Sequence, residues 1–229
     1  MVKKFRIGIL GGMGPEAGVL LQELILRHTP AEKDQDHLEV VTYTNPHVPD
    51  RTQSLAEDGG DSYLKAVIES LRLLEKADVD ILVMACNTAH ARIEEIQSSI
   101  KTPMVNIVEL ARKEILATGG LVGILATDGT VNSGLFTIPG ELEKTRTPEK
   151  ELQREVMTAI REIKKGVKDG TVLDRLGRVV AGMQRAGCEG LVLGCTELSL
   201  YHDELCERFG GIFIDPMRLA AKKLVEMAK

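Results

Sequence analysis

Two cysteines carry the first chemical signal in the sequence. Cys86 closes the apolar run Ile81-Leu-Val-Met-Ala85 and precedes Asn87 and Thr88, while Cys195 closes Gly190-Leu-Val-Leu-Gly194 and precedes Thr196 and Glu197. The two stand 109 positions apart, and at the same spacing Met104-Val-Asn-Ile-Val-Glu-Leu-Ala111 resembles Phe213-Ile-Asp-Pro-Met-Arg-Leu-Ala220. A third pair, Ile7-Gly-Ile-Leu10 and Val122-Gly-Ile-Leu125, keeps the order at a spacing of 115. Three segments in one order point to an internal duplication. A thiol placed where a strand ends and a helix begins meets backbone N–H groups that favour its thiolate, the reactive form. Two such thiols facing each other suit proton transfer at carbon. One takes a proton, the other returns one to the opposite face, and a stereocentre inverts. Disulfide chemistry competes with this reading, but redox pairs usually come as CxxC, which none of Cys86, Cys188, Cys195 and Cys206 forms. Cys188, at a strand start, and Cys206, inside a helix, have no comparable setting and read as filler.

Other candidates surround the first cysteine in the chain. Gly12-Met-Gly-Pro-Glu-Ala17 fits G-x-G-x-x-A after a strand, yet the second strand leads to Asn45 and Pro46 rather than to the acid a dinucleotide ribose requires. Exposed N–H groups at that helix start would equally cradle a carboxylate, which is the preferred reading. Arg51, in a Pro-rich loop after the second strand, can hold a carboxylate bidentately, and Lys168 lies in the glycine-flanked loop Gly166-Val-Lys-Asp-Gly170. The five histidines are scattered, and only Cys86 with His90 has ligand-like spacing, so no metal site is expected.

These residues must be positioned by alternating strands and helices. Strands are expected at Phe5–Leu10, Leu38–Thr44, Ile81–Ala85, Met104–Ile107, Val122–Ala126, Leu191–Gly194 and Ile212–Ile214. Helices are expected at Pro15–His28, Asp61–Ala77, Thr88–Ile100, Val108–Ala117, Pro148–Gly166, Thr171–Ala186 and Pro216–Met227. Gly140–Lys150 and Thr44–Asp58 read as loops, and Phe136–Thr147 is more polar than a strand should be. The pattern is α/β: two pseudo-two-fold-related domains, each with a mostly parallel sheet flanked by helices. The expected division is 1–107, with the C-terminal helix 215–229 crossing back, against 108–214. In such sheets ligands bind beyond the carboxyl ends of the strands, where both cysteines fall, and the site is expected in the cleft between the lobes.

Composition bounds the answer further. With 229 residues, 43% hydrophobic, 28% charged and a net charge of −5, the chain can bury a core without disulfides or metal. The mild acidity and lack of a basic run argue against nucleic-acid or membrane-surface partners. Lys3, Lys4 and Arg6 could open a signal peptide, but the apolar run after them stops at Gly11 and Gly12, so a cytoplasmic protein is expected.

Together, Met84-Ala-Cys86-Asn-Thr-Ala-His90, Leu193-Gly-Cys195-Thr-Glu-Leu198, Gly11-Gly-Met-Gly-Pro-Glu-Ala17 and Asn45-Pro-His-Val-Pro-Asp-Arg-Thr52 resemble the cofactor-independent aspartate/glutamate racemases, most closely the aspartate racemase branch. The resemblance runs from the first strand to Ile214-Asp-Pro-Met217. It implies interconversion of L- and D-aspartate, or of glutamate, by a two-base mechanism without pyridoxal phosphate or metal. Cys86 and Cys195 match the family's catalytic cysteines, Arg51 its aspartate-side arginine and Lys168 its loop lysine. Met13, Thr52, Asn87, Thr88, Thr127 and Thr196 match positions lining the substrate pocket. The implied partner is a small dicarboxylic amino acid, with a homodimer usual for relatives. Related enzymes with paired cysteines include maleate isomerases and hydantoin racemases, and a non-catalytic amino-acid-binding protein is the reading from a different class.

Overall fold

The computed structural model describes residues 5–167 and 169–228. The chain divides into two compact units: one runs through Ile107 and takes back the segment from Met217, and the other is Val108–Pro216.

In the first unit, β1 (Arg6–Gly11), β2 (Glu39–Thr44), β3 (Ile81–Met84) and β4 (Met104–Val105) form a parallel sheet in the order β2-β1-β3-β4. β1 is buried from Ile7 on and β3 throughout. A strand covered on both faces reads as an unbroken apolar run, hence Ile-Leu-Val-Met. Helices α1 (Pro15–His28), α2 (Arg51–Asp58), α3 (Asp61–Glu75) and α4 (Ile93–Ser98) belong to this unit, while α5 (Ile107–Ala117), which follows β4 in the chain, lies from Val108 on in the second. α1 starts with Pro15 at its first position, carries Glu16 in its first turn and ends on Arg27 and His28, each charge set favourably against the helix dipole. Leu10, Met13, Val48, Tyr63, Leu71, Leu82, Met84 and Cys86 belong to this unit's core cluster.

The second unit repeats the scheme. β5 (Leu121–Leu125), β6 (Thr145–Arg146), β7 (Cys188–Leu193) and β8 (Ile212–Ile214) form a parallel sheet in the order β6-β5-β7-β8. With them go α6 (Asp128–Asn132), α7 (Lys150–Lys164), α8 (Gly170–Arg185) and α9 (His202–Phe209), while α10 (Pro216–Met227), which follows β8 in the chain, belongs from Met217 on to the first unit. The spacing of 109 read from the cysteines extends to the helices: α4 starts at Ile93 and α9 at His202, α5 at Ile107 and α10 at Pro216. The repeat is therefore structural as well as sequential. No helix among the described residues is long and apolar enough to cross a membrane.

Three local expectations need correction. The helix expected from Thr88 to Ile100 is a 3-10 turn, Thr88–Arg92, followed by α4. The loop expected from Thr44 to Asp58 ends in α2, which Asp50 caps by accepting a hydrogen bond from Gln53 N at 2.9 Å. So polar a helix has too little apolar periodicity to be read, although its cap conforms to rule. The polar stretch Phe136–Thr147, together with the loop expected at Gly140–Lys150, contains β6, a two-residue edge strand too short to need an apolar pattern.

Candidate active site

The candidate residues gather at the carboxyl ends of the strands. In the first unit Met13 follows β1, Arg51 and Thr52 open α2 beyond β2, and Cys86, Asn87 and Thr88 follow β3. In the second, Thr127 follows β5, while Cys195 and Thr196 follow β7. β3 and β7 occupy equivalent places, third in their sheets, and each is continued by two residues that end in cysteine.

Around Cys86 the setting is tight. The sulfur-bearing residue is 4% exposed, and the His90 ring, 1% exposed, places Nδ1 2.8 Å from the Cys86 carbonyl oxygen. Because a carbonyl only accepts, Nδ1 carries the proton in this contact. Burial pushes the His90 imidazole down to about 4 against the opposing pull of backbone groups at Cys86, Val105 and Asn87, so it is neutral near pH 7. Asn87 is buried, and neither polar atom of its amide has a hydrogen-bond partner among the described residues.

Arg51 is buried as well. Its Nη1 donates to the carbonyls of Val48 and Pro49 at 3.1 and 2.9 Å, and its Nη2 donates to that of Met13 at 3.0 Å. Among the described residues Nε has no partner and no carboxylate pairs with the guanidinium. A buried cation held only by carbonyl dipoles is a site in want of an anion. Arg51 also fixes the glycine loop, since Met13 contributes its carbonyl while its side chain packs in the core. Gly12 has φ +100°, and a Cβ there would lie 2.3 Å from the Asn45 backbone. Close packing on Asn45 thus accounts for this glycine without a dinucleotide.

Cys195 is built differently. Its thiol donates to Glu197 Oε2 at 2.9 Å, Thr196 Oγ1 approaches the same oxygen at 3.5 Å, and Lys164 Nζ stands 3.6 Å from Glu197 Oε1. Glu197 is 3% exposed. Burial pushes the Cys195 thiol well up, the charge and hydrogen bond of Glu197 push further, and Lys164 opposes them. Cys195 is therefore a thiol at neutral pH. At the spacing of 109 the counterpart of Glu197 is Thr88, which carries no charge. The two half-sites share a scaffold and differ in electrostatics. The expected dipole activation is corrected accordingly: each cysteine precedes a 3-10 turn, Thr88–Arg92 or Leu198–Tyr201, rather than an α-helix. Neither short turn builds much macrodipole.

Of the remaining candidates, Thr88 and Thr196 are buried beside their cysteines, Thr52 is partly buried, and Thr127 caps α6 by accepting from Thr130 N at 3.2 Å. Lys168 lies outside the described residues; Lys164, at the end of α7, is the lysine placed next to the Cys195 network. Sequence reading missed both Lys164 and Glu197. The available signal was an acid two residues after a candidate nucleophile. Among the described residues no group of three or more His, Cys, Asp or Glu side chains is placed to hold a metal ion. A surface hollow of about 750 Å³ lies by Gly119–Leu121 and Gly140–Lys144, at the amino end of β5 and opposite to Thr127.

Duplicated parallel α/β units with a buried cysteine after equivalent strands define a class of two-cysteine α/β proteins. Within that class the chain belongs to the family described as Asp/Glu/Hydantoin racemase, which it matches over residues 10–224. It is similar to the aspartate racemase of Picrophilus torridus, with 30% identity, 98% of this chain and 94% of that chain covered, and a TM-score of 0.85. An aspartate racemase homologue from Pyrococcus horikoshii is 25% identical with a TM-score of 0.73, over 97% of this chain and 98% of that one. The broad specificity amino-acid racemase RacX of Bacillus subtilis is 33% identical over 136 residues, covering 57% of this chain and 58% of RacX. A glutamate racemase of Geobacter metallireducens is 30% identical over 148 residues, 62% of this chain and 54% of that protein. The chain thus spans little more than half the length of these two curated relatives.

Proposed function

We propose that the protein is an amino-acid racemase that interconverts L- and D-aspartate, with Cys86 and Cys195 as its two acid–base groups and neither pyridoxal phosphate nor metal taking part. The observation that carries this reading is the placement of a buried cysteine after equivalent strands of two duplicated units. Similarity to the Picrophilus aspartate racemase over nearly the whole of both chains supports aspartate over glutamate.

The reaction requires the two sulfurs to reach opposite faces of one α-carbon. Arg51, through Nε and the remaining Nη2 hydrogen, takes the side-chain carboxylate. The Cys86 thiolate removes the α-proton; the C–H electron pair stays on the substrate, delocalised into its α-carboxylate. The Cys195 thiol then delivers its proton to the other face. The cycle ends with Cys86 protonated and Cys195 a thiolate, so no atom is gained or lost and the reverse reaction starts from this second form. Without a cofactor to spread the charge, fixed dipoles and the positive charge of Arg51 in a water-poor site must stabilise the carbanion. Glu197 makes the two protonation forms unequal by favouring the proton on Cys195. Because the equilibrium constant of racemisation is one, kcat/KM must match in the two directions, and the inequality emerges in kcat and KM separately.

The test is chiral chromatography of L- and D-aspartate, and of glutamate in parallel, with reduced enzyme and no added cofactor, for the wild type and for Cys86→Ser and Cys195→Ser. Racemisation from both aspartate enantiomers, lost by about 10²-fold or more in each variant, is expected. Folded wild type that binds aspartate without turning it over would instead describe a binding protein.

A further inference from the structure

Tyr63 lies in the first unit's core cluster with Met13, Val48 and Cys86 and is fully buried, yet its hydroxyl has no hydrogen-bond partner among the described residues. The position is well determined. Tyr63 stands in the first turn of α3, its N–H directed at Ser54 Oγ at 3.4 Å, and its ring abuts Gly60, where a Cβ would come within 2.8 Å of the ring. Phenylalanine would fill the same volume without leaving a polar atom unsatisfied, and buried polar groups are nearly always paired. Burial pushes the phenol far above the ordinary tyrosine range, with Cys86 and Glu95 adding to the effect and Arg92 and Arg51 opposing it, so the hydroxyl is a donor at every working pH. Cys86 shares the core cluster of Tyr63, as do Met13 and Val48, whose carbonyls take hydrogen bonds from the Arg51 guanidinium. Arg51 Nε and both polar atoms of the Asn87 amide are likewise buried without partners. Three residues of the first unit therefore hold buried polar groups without partners among the described residues, and each of the three can donate.

We infer that the Tyr63 hydroxyl is a substrate-binding donor that joins Arg51 in holding the distal carboxylate of a dicarboxylic amino acid. This rests on the racemase reading above and adds a specificity residue to it. A donor satisfied only by ligand is a liability in the empty protein and an asset in the complex, so stability and binding should respond to its removal in opposite senses.

Tyr63→Phe keeps the packing and removes one oxygen. The experiment measures the melting temperature without ligand, the upward shift of that temperature with L-aspartate, and kcat and KM for wild type and variant. Expected are an unchanged or higher melting temperature without ligand, a smaller shift with L-aspartate, and a KM raised roughly ten-fold with kcat less affected. A lower melting temperature without ligand means an internal partner, bound water included, and overturns the inference. An unchanged KM and ligand shift overturns it too. If wild type does not turn over aspartate, the racemase reading fails on its own, and the aspartate-induced shift still decides whether Tyr63 binds the carboxylate. No shift in wild type refutes both.

Discussion

Protonation of His90 should undo the segment that carries Cys86. The ring is buried on the 3-10 turn after β3, and its Nδ1 donates to the Cys86 carbonyl. In the folded protein its pKa is lowered from 6.5 to about 4. A group that binds its proton more weakly when folded stabilises the fold fully above its unfolded pKa. That contribution is lost as pH falls from about 6.5 towards about 4, because the unfolded chain takes up the proton first. At about 1.4 kcal/mol per pH unit, the gap is worth about 3 kcal/mol by pH 4. Against a typical total of about 5–15 kcal/mol this is a large fraction. Carboxylates titrate in the same window, so the assay compares urea unfolding of wild type with His90→Asn, which retains a donor for the carbonyl but does not titrate. Between pH 7 and 4 the wild type should lose about 3 kcal/mol more than the variant. Parallel losses would show that His90 is not the buried neutral base described here.

Three further outcomes follow from the same geometry. Glu197→Gln removes a charge that holds the proton on Cys195, so alkylation of Cys195 near pH 8 should quicken and the limb of the kcat–pH profile due to Cys195 should move to lower pH; a slower reaction would contradict the assignment. Arg51→Lys cannot serve three carbonyls and still offer a fork to a carboxylate, so apparent affinity for aspartate should fall about 10–100-fold in steady-state kinetics. Gly12→Ala combines an unfavourable φ with a 2.3 Å contact on Asn45, so it should cost about 2–4 kcal/mol, seen as a melting temperature lower by roughly 5–15 °C.

Much of this arrangement is legible in the chain. Buried parallel strands leave continuous apolar runs, so the residues leading to Cys86 and Cys195 could be recognised, and the repeat spacing aligned one with the other. α1 and α10 have the expected bounds because proline marks both starts. What escaped reading depends on contacts distant in sequence or on very short elements. α2 is polar throughout much of its length, and β6 owes its existence to its neighbour β5. The Lys164–Glu197 pair joins a helix end to the turn after β7, which no local pattern announces. Tyr63 sits on the apolar face of α3 and reads as core; only the packed structure exposes the solitary state of its hydroxyl.

The two-base claim is tested most directly by the fate of the α-hydrogen in D₂O. Incubating L-aspartate, and separately D-aspartate, to low conversion and analysing both enantiomers by proton NMR after chiral separation should find deuterium at the α-carbon of the product while recovered substrate keeps protium. That asymmetry is required when one thiol removes the hydrogen and a second, solvent-equilibrated thiol replaces it on the other face. Deuterium entering recovered substrate as fast as product, or full two-way turnover after Cys86→Ser or Cys195→Ser, would contradict the account.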